Sequence, residues 1–399
     1  MRKSALLAAT TVAGAALIGS IAEGDRKTKG GGDYRPLGAE TWNTVHTDTL
    51  GLEGLTADAK GNLYSPARGG DPCPVVRVPA TGGTGVTVGT LPAPCNPAGL
   101  AFDRKGELFV ADSGRILRFR PSASSPPVAT VFVTDVPGSN GVAFDERGKL
   151  WVSDGGTGQG RVWRIGDDGI PHEMFRVQPM VNEVNVVDGV GGIGRDPRSA
   201  PPAAVMITPT GRSAANTAGS QHLVANGLAF DRDGSLFIGD TARGAIWRVE
   251  LDRRGNVRSP TGCDTTFMSN TLCLSNVFVQ HPALEGVDGI ALDREGNVIA
   301  AANERNAVVV ATQRDGVVEL FRNPVGSATR LRNEGPLEFP TSPVIVDRRL
   351  CLAHSDGLRR DNAPNTAGEV GPGPGQPGIA KLSCTKSKLP VEGLPLPVD

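Results

Sequence analysis

The sequence predicts an all-β chain folded as a six-bladed β-propeller of four-stranded antiparallel blades around a central channel. Three observations predict it: an abundance of turn formers, a phrase that recurs along the chain, and the spacing of its copies. The 399 residues include 53 glycines and 31 prolines, a share that demands many short elements joined by tight turns. Hydrophobic residues at 39% suffice for a core, which excludes wholesale disorder. The length suits two domains or one large all-β or barrel-type domain.

The phrase is clearest at Asn226-Gly-Leu-Ala-Phe-Asp231-Arg-Asp-Gly234-Ser-Leu-Phe-Ile-Gly-Asp240. Copies start near Leu52, Pro97, Ser139, Ala225 and Val287, with a degenerate one from Thr341. In the five clear copies, a short apolar run leads into Asp-x-x-Gly and then a second apolar run. The aspartate accepts hydrogen bonds at the start of the turn and the glycine supplies positive φ at its end, so each copy is a β-hairpin. Third strands follow, as in Arg161–Ile165 and Ala245–Val249. Their alternating apolar and basic residues predict an outer, half-exposed strand. The residue preceding the phrase's first glycine, or its proline replacement, stands at 53, 98, 140, 226, 288 and 342, giving intervals of 45, 42, 86, 62 and 54. The shorter intervals fit one blade, and the longer ones hold insertions. Residues 41–50 could complete the last sheet from the N-terminal side, and residues 379–383 offer one more strand. A linear solenoid is the rival architecture, but no polar capping repeat supports it.

Residues 1–22 read as a signal peptide: a basic start at Arg2 and Lys3, an apolar run rich in alanine, and a small-residue exit. An uncleaved anchor is the alternative, and no later segment is apolar enough to cross a bilayer. Residues 23–40 are expected as a flexible segment and 41–399 as the propeller, with a loop insertion at about 167–222. The six cysteines fit an exported, periplasmic or extracellular protein. Fifteen connectivities are possible. The local spacing favours Cys73–Cys95, Cys263–Cys273 and Cys351–Cys384. The net charge of −1 with scattered basic residues excludes an electrostatic footprint for nucleic acid. A monomer is expected.

Pseudosymmetry turns a repeat position into a ring around the channel: Glu53, Ala98, Asn140, Asn226, Asp288 and Ser342. Glu53, Asn140, Asn226 and Asp288 bring strong oxygen donors, two of them carboxylates. Hard divalent cations select such donors. Calcium comes first, with Zn2+, Mn2+ and Mg2+ as alternatives; five dispersed histidines disfavour zinc. Asn-Gly and Asp-Gly also form turns anywhere. Glu53, a poor turn residue in the same register, argues for a shared purpose.

The phrases holding Glu53-Gly, Asn226-Gly-Leu-Ala-Phe-Asp and Asp288-Gly-Ile-Ala resemble those of the senescence marker protein/gluconolactonase family, in the family's order and over nearly all of the mature chain. The resemblance implies a metal-dependent hydrolase opening lactones or related esters. Glu53, Asn226 and Asp288 would hold one divalent cation, and Asp288 would also be the catalytic general base or a nucleophile. Asn140 would contact substrate, or ligate calcium as in the similar diisopropylfluorophosphatase-like propellers. His354 resembles a channel-lining, substrate-contacting histidine, against a plain end-of-strand residue. Ala98 and Ala291 depart from the pattern, and so does the insertion. A non-catalytic propeller with a structural cation is the main alternative, and a strictosidine-synthase-like or lyase-type propeller is the third reading.

Other signals carry less. Gly189-Val-Gly-Gly-Ile-Gly194 matches a nucleotide-binding pattern, but Pro197, Pro201 and Pro202 forbid the helix it needs. No Gly-x-Ser-x-Gly elbow occurs. Asp112, Asp154 and Asp240 end second strands as turn or bracing acceptors. Trp151, Trp163 and Trp247 fall on strands, where packing between blades explains them.

Overall fold

A computed structural model describes residues 32–166, 168–179, 223–265, 267–312, 316–323, 336–355 and 380–397. The described residues form six sheets, each a blade of four strands in antiparallel order from the axis outward. The first blade orders Gly51–Leu52, Asn62–Arg68, Cys73–Pro79 and Val86–Leu91, with the short Thr56–Ala57 also paired to the second strand. The second comprises Pro97–Phe102, Leu108–Asp112, Arg115–Phe119 and Thr130–Val133. The third comprises Ser139–Phe144, Leu150–Asp154, Arg161–Ile165 and Pro171–Arg176. The fourth is Leu228–Phe230, Leu236–Asp240, Ala245–Val249 and Val277–Gln280, and the fifth is Val287–Leu292, Val298–Ala302, Ala307–Thr312 and Gly316–Arg322. The sixth takes Pro340–Val346, Arg349–His354 and Ala380–Thr385, and its outer strand is Trp42–Asp48 from the start of the chain. The N-terminal strand thus closes the ring, and the solenoid is excluded.

The turns follow the repeat. Asp103, Asp145, Asp231 and Asp293 each accept backbone N–H bonds from the residues two and four further on through Oδ1, at 2.8–2.9 Å. Gly106, Gly148, Gly234 and Gly296 take φ of 75–82° there, a region in which a Cβ is costly.

The glycine that follows each of the first five ring residues has a different reason, Pro343 standing in its place after Ser342. It lies inside or beside the inner strand, where the neighbouring blade's backbone comes closest. A Cβ on Gly99 would stand 2.6 Å from Asn140 O, one on Gly227 2.6 Å from Asp288 O, and one on Gly289 2.6 Å from Thr341 O. Gly54 and Gly141 face Ala98 O and Asn226 O in the same way. These Asn-Gly and Asp-Gly pairs are therefore not turns. They are the points at which successive blades touch around the axis.

Apolar side chains fill the space between blades. One cluster joins Trp151 and Val162 of the third blade to Leu228 and Trp247 of the fourth, and another joins Phe237 of the fourth to Ile290 and Val309 of the fifth. The third strands are accordingly not half-exposed. Arg161–Ile165 keeps Val162, Trp163 and Ile165 buried, because neighbouring blades cover both of its faces. Its arginines instead lie over rings, Arg161 5.3 Å from the Trp163 centroid and Arg164 5.9 Å from that of Trp151.

Three disulfides form as the sequential pairing expects: Cys73–Cys95, Cys263–Cys273 and Cys351–Cys384. The last joins residues directly opposite on adjacent strands. Ahead of the first strand, buried Tyr34 donates to Asp293 Oδ2 at 2.7 Å and Leu37 N donates to Leu320 O at 2.6 Å, so this stretch is tied to the fifth blade. The start of the expected insertion is the third blade's outer strand. From residue 180 to 222 the insertion, with the glycine-rich Gly189–Gly194 motif, lies outside the described residues, as does the expected signal peptide. No helix among the described residues is long and apolar enough to cross a membrane.

Candidate functional site

The inner strands start at one end of the propeller, so the ring residues open onto a common axial cavity. Its volume is about 90 Å³, and Glu53, Asn140, Asn226, Asp288 and Ser342 are on its wall. That is several times the roughly 10–15 Å³ that one water needs. Leu55, Leu100, Leu228 and Ile290 supply the apolar lining. Ala98 is not on the wall.

Each donor is held from behind. Asn226 Nδ2 donates to Thr241 Oγ1 at 3.0 Å, and Thr241 in turn donates to Val287 O at 2.6 Å. With its nitrogen committed to the scaffold, Asn226 keeps its oxygen as the group to offer a ligand. Asp288 Oδ2 accepts from Asn303 Nδ2 at 2.9 Å, and both residues are buried. Among the described residues Asn140 has no such donor behind it. It presses on Gly155, where a Cβ would come within 2.7 Å of Asn140 Nδ2, so the missing side chain is what makes room for the amide. Glu53 is 6% exposed, and its Oε2 lies 3.2 Å from Arg68 Nη1 as an ion pair without hydrogen-bond geometry.

The supporting residues were not foreseen, although one signal marks them. Arg68, Gly155, Thr241 and Asn303 each follow their ring residue by fifteen positions. The register is shared but the chemistry is not, so no composition or motif exposes them.

His354 is not on the cavity wall. It ends the sixth blade's second strand, fully buried, with Nδ1 accepting from Glu338 N at 3.3 Å and Nε2 without a hydrogen-bond partner among the described residues. Burial, and then the nearby Lys381 ammonium, hold its pKa well below the ordinary histidine value. Asp112, Asp154 and Asp240 are bracing acceptors, paired with Arg115, Arg161 and Arg243 at 2.7–2.9 Å. Burial pushes the Asp154 and Asp240 carboxyls up despite those guanidinium groups.

Among the described residues no group of three or more His, Cys, Asp or Glu side chains could hold a metal. The axial donor set is of another kind, two carboxylates with two amides. It fits a hard cation, since one buried carboxylate oxygen of Glu53 has no hydrogen bond and the Asn226 amide has its nitrogen turned away.

Residues 185–332 match the family model described as SMP-30/Gluconolactonase/LRE-like region. Over those residues, less than half of the chain, the sequence is similar to that family. The chain's fold is shared by a luciferin-regenerating enzyme, at 14% identity and a TM-score of 0.54 over 90% of this chain and 98% of that one. The calcium-binding regucalcin of Agrobacterium tumefaciens matches at 18% identity and 0.51, over 92% and 97%. The PQQ-bound aldose sugar dehydrogenase of Streptomyces coelicolor matches at 16% and 0.51, over 86% and 96%. No curated protein matches the sequence. At these identities the likeness establishes the propeller alone, and the chemistry has to come from the site.

Proposed function

We propose that this gluconolactonase-like chain is an exported, metal-dependent hydrolase that opens lactones or related carboxylic esters in the axial cavity. The observation that carries the reading is the convergence of Glu53, Asn140, Asn226 and Asp288 on that cavity. Those four side chains would hold the cation, with calcium first in view of the donor set and of the calcium-binding regucalcin that shares the fold. When bound, a divalent cation supplies a Lewis acid that polarises the ester carbonyl and stabilises the charge developing on its oxygen.

The chain's own residues do the rest. Asp288 sits buried on the wall, anchored by Asn303 through one carboxylate oxygen. It takes the proton of the attacking water or attacks the carbonyl itself. Asn140 orients the substrate. The leucines and isoleucine of the wall keep bulk water away from the reacting bond. Three disulfides support action in an oxidising compartment.

Lactone hydrolysis and metal content, measured with and without chelator, test the reading. Activity that survives complete removal of divalent cations rejects it. Asp288→Asn should lower turnover by about 10²–10⁴-fold while the protein still binds cation, and full activity in that variant removes Asp288 from the chemistry. The ion pair between Arg68 and Glu53 favours the second reading, a propeller that binds a ligand without chemistry, because it supplies Glu53 with a partner of its own. Cation binding without turnover on any lactone would select that reading.

A further inference from the structure

At the hairpin-turn end, away from the axial cavity, a groove of about 550 Å³ lies where the last blade meets the first. Its wall comes from the turn at Ala59–Gly61, the segment at Pro79–Thr81, the turn at Val346–Arg349 and the chain after the final strand. Lys60, Arg348, Arg349, Lys386 and Lys388 all stand on it. In a chain with a net charge of −1, this is a local concentration of cations.

The groove's two carboxylates offset only part of that charge, against five cations. Among the described residues the wall carries Asp347 and Glu392, and Glu392 Oε2 is already 2.6 Å from Arg294 Nη1, which is not on the wall. The cations are steadied by neutral groups instead. Arg348 donates through Nε to Leu389 O and through Nη2 to Pro390 O, both at 2.6 Å. Arg349 Nη1 donates to Ala80 O at 3.3 Å, and Lys386 Nζ donates to Glu40 O at 2.9 Å. A carbonyl fixes a cationic head without cancelling its charge. Lys60 and Lys388 are exposed, and among the described residues neither has a carboxylate partner.

We propose that this groove is a binding site for a soluble polyanion bearing two or more phosphate or sulfate groups. A single exposed ion pair contributes little, so one anionic group gains too little to be held, whereas a ligand that meets several fixed cations at once releases their counterions together. The volume is within the range of small-molecule sites, about 300–1,000 Å³. The site is independent of the hydrolase reading.

Calorimetric titration of the full-length protein with tripolyphosphate and with a sulfated tetrasaccharide, against inorganic phosphate, tests it. At least one polyanion should bind ten times or more tighter than phosphate, with affinity falling as salt rises. Lys60→Glu combined with Lys388→Glu, both on exposed side chains, should weaken that binding at least tenfold. Arg104→Glu with Lys105→Glu, an equal charge change elsewhere, and Glu53→Gln in the axial cavity should each leave it within twofold. A response to tripolyphosphate alone identifies phosphate chemistry, and a response to the tetrasaccharide alone identifies sulfate. Binding no tighter than phosphate, binding unchanged in the groove variant, or equal weakening in the control pair would overturn the proposal.

Discussion

At the hairpin-turn end, five blades reuse one device: the aspartates at 58, 103, 145, 231 and 293, each followed three residues later by a glycine with φ near 80°. At the opposite end, the residue that stands in one register differs in every blade but two: Glu53, Ala98, Asn140, Asn226, Asp288 and Ser342. Repetition at one end is what builds the ring, since each blade needs the same turn whatever its neighbours do. Divergence at the other end is what builds a cavity with donors of different charge. The lesson is that in a pseudosymmetric fold the copies write the scaffold and the departures from the copy write the site.

The comparison is sharpest for glycine, which both ends require for unlike reasons. Gly227→Ala drives a Cβ into Asp288 O, Gly289 Cα and Ile290 N, all within 2.6–2.7 Å. It should cost about 3 kcal/mol through overpacking. Gly148→Ala meets nothing within 4 Å and pays only for its φ of 75°, about 1 kcal/mol. Urea unfolding of both variants checks the ranking, and equal costs would break it.

A smaller effect should come from the support behind the ring. Asn303→Ala leaves the Asp288 carboxylate without the amide that orients it, and should weaken cation binding or turnover about 10–100-fold. Asn303→Asp, which cannot donate to the carboxylate when ionised, should not rescue it. An unchanged cation affinity and turnover in Asn303→Ala would mean that the ring residues position themselves.

The smallest effect is expected at His354, where the end of a strand is buried instead of opening on the cavity. Its pKa is lowered in the folded chain, so the fold keeps the imidazole neutral while the unfolded chain takes up a proton near the ordinary value of about 6.5. The stability it contributes is therefore present above about pH 6.5 and lost as pH falls below it, by at most about 1.4 kcal/mol per pH unit. Denaturation midpoints between pH 7 and pH 5 should fall less steeply in His354→Gln than in the native protein. Parallel slopes would remove the histidine from the acid response.

The blades, their number, the closing N-terminal strand and the three disulfides were legible because each follows from residues that recur or pair along the chain. The ring was legible by register alone. What stayed hidden were interactions between residues distant in kind. Val162 and Trp163 point to opposite faces of a strand that looks half-exposed until the blades on either side cover both faces. Arg68, Thr241, Asn303 and Gly155 share a position but no chemical type, so nothing in composition marks them as one layer. His354 carries the chemistry of a site residue, and its burial within the sixth blade is visible only once that blade is assembled.

The joining of Trp42–Asp48 to Ala380–Thr385 also dictates when the molecule can be completed. During synthesis the first strand leaves the ribosome long before its hydrogen-bonding partner exists. The earlier blades can stack one on another as they emerge, yet the circle stays open until nearly the whole polypeptide has been made. A ribosome that stalls before residue 380 would release an arc with two unpaired edges, a form that quality-control proteases can distinguish from the finished ring.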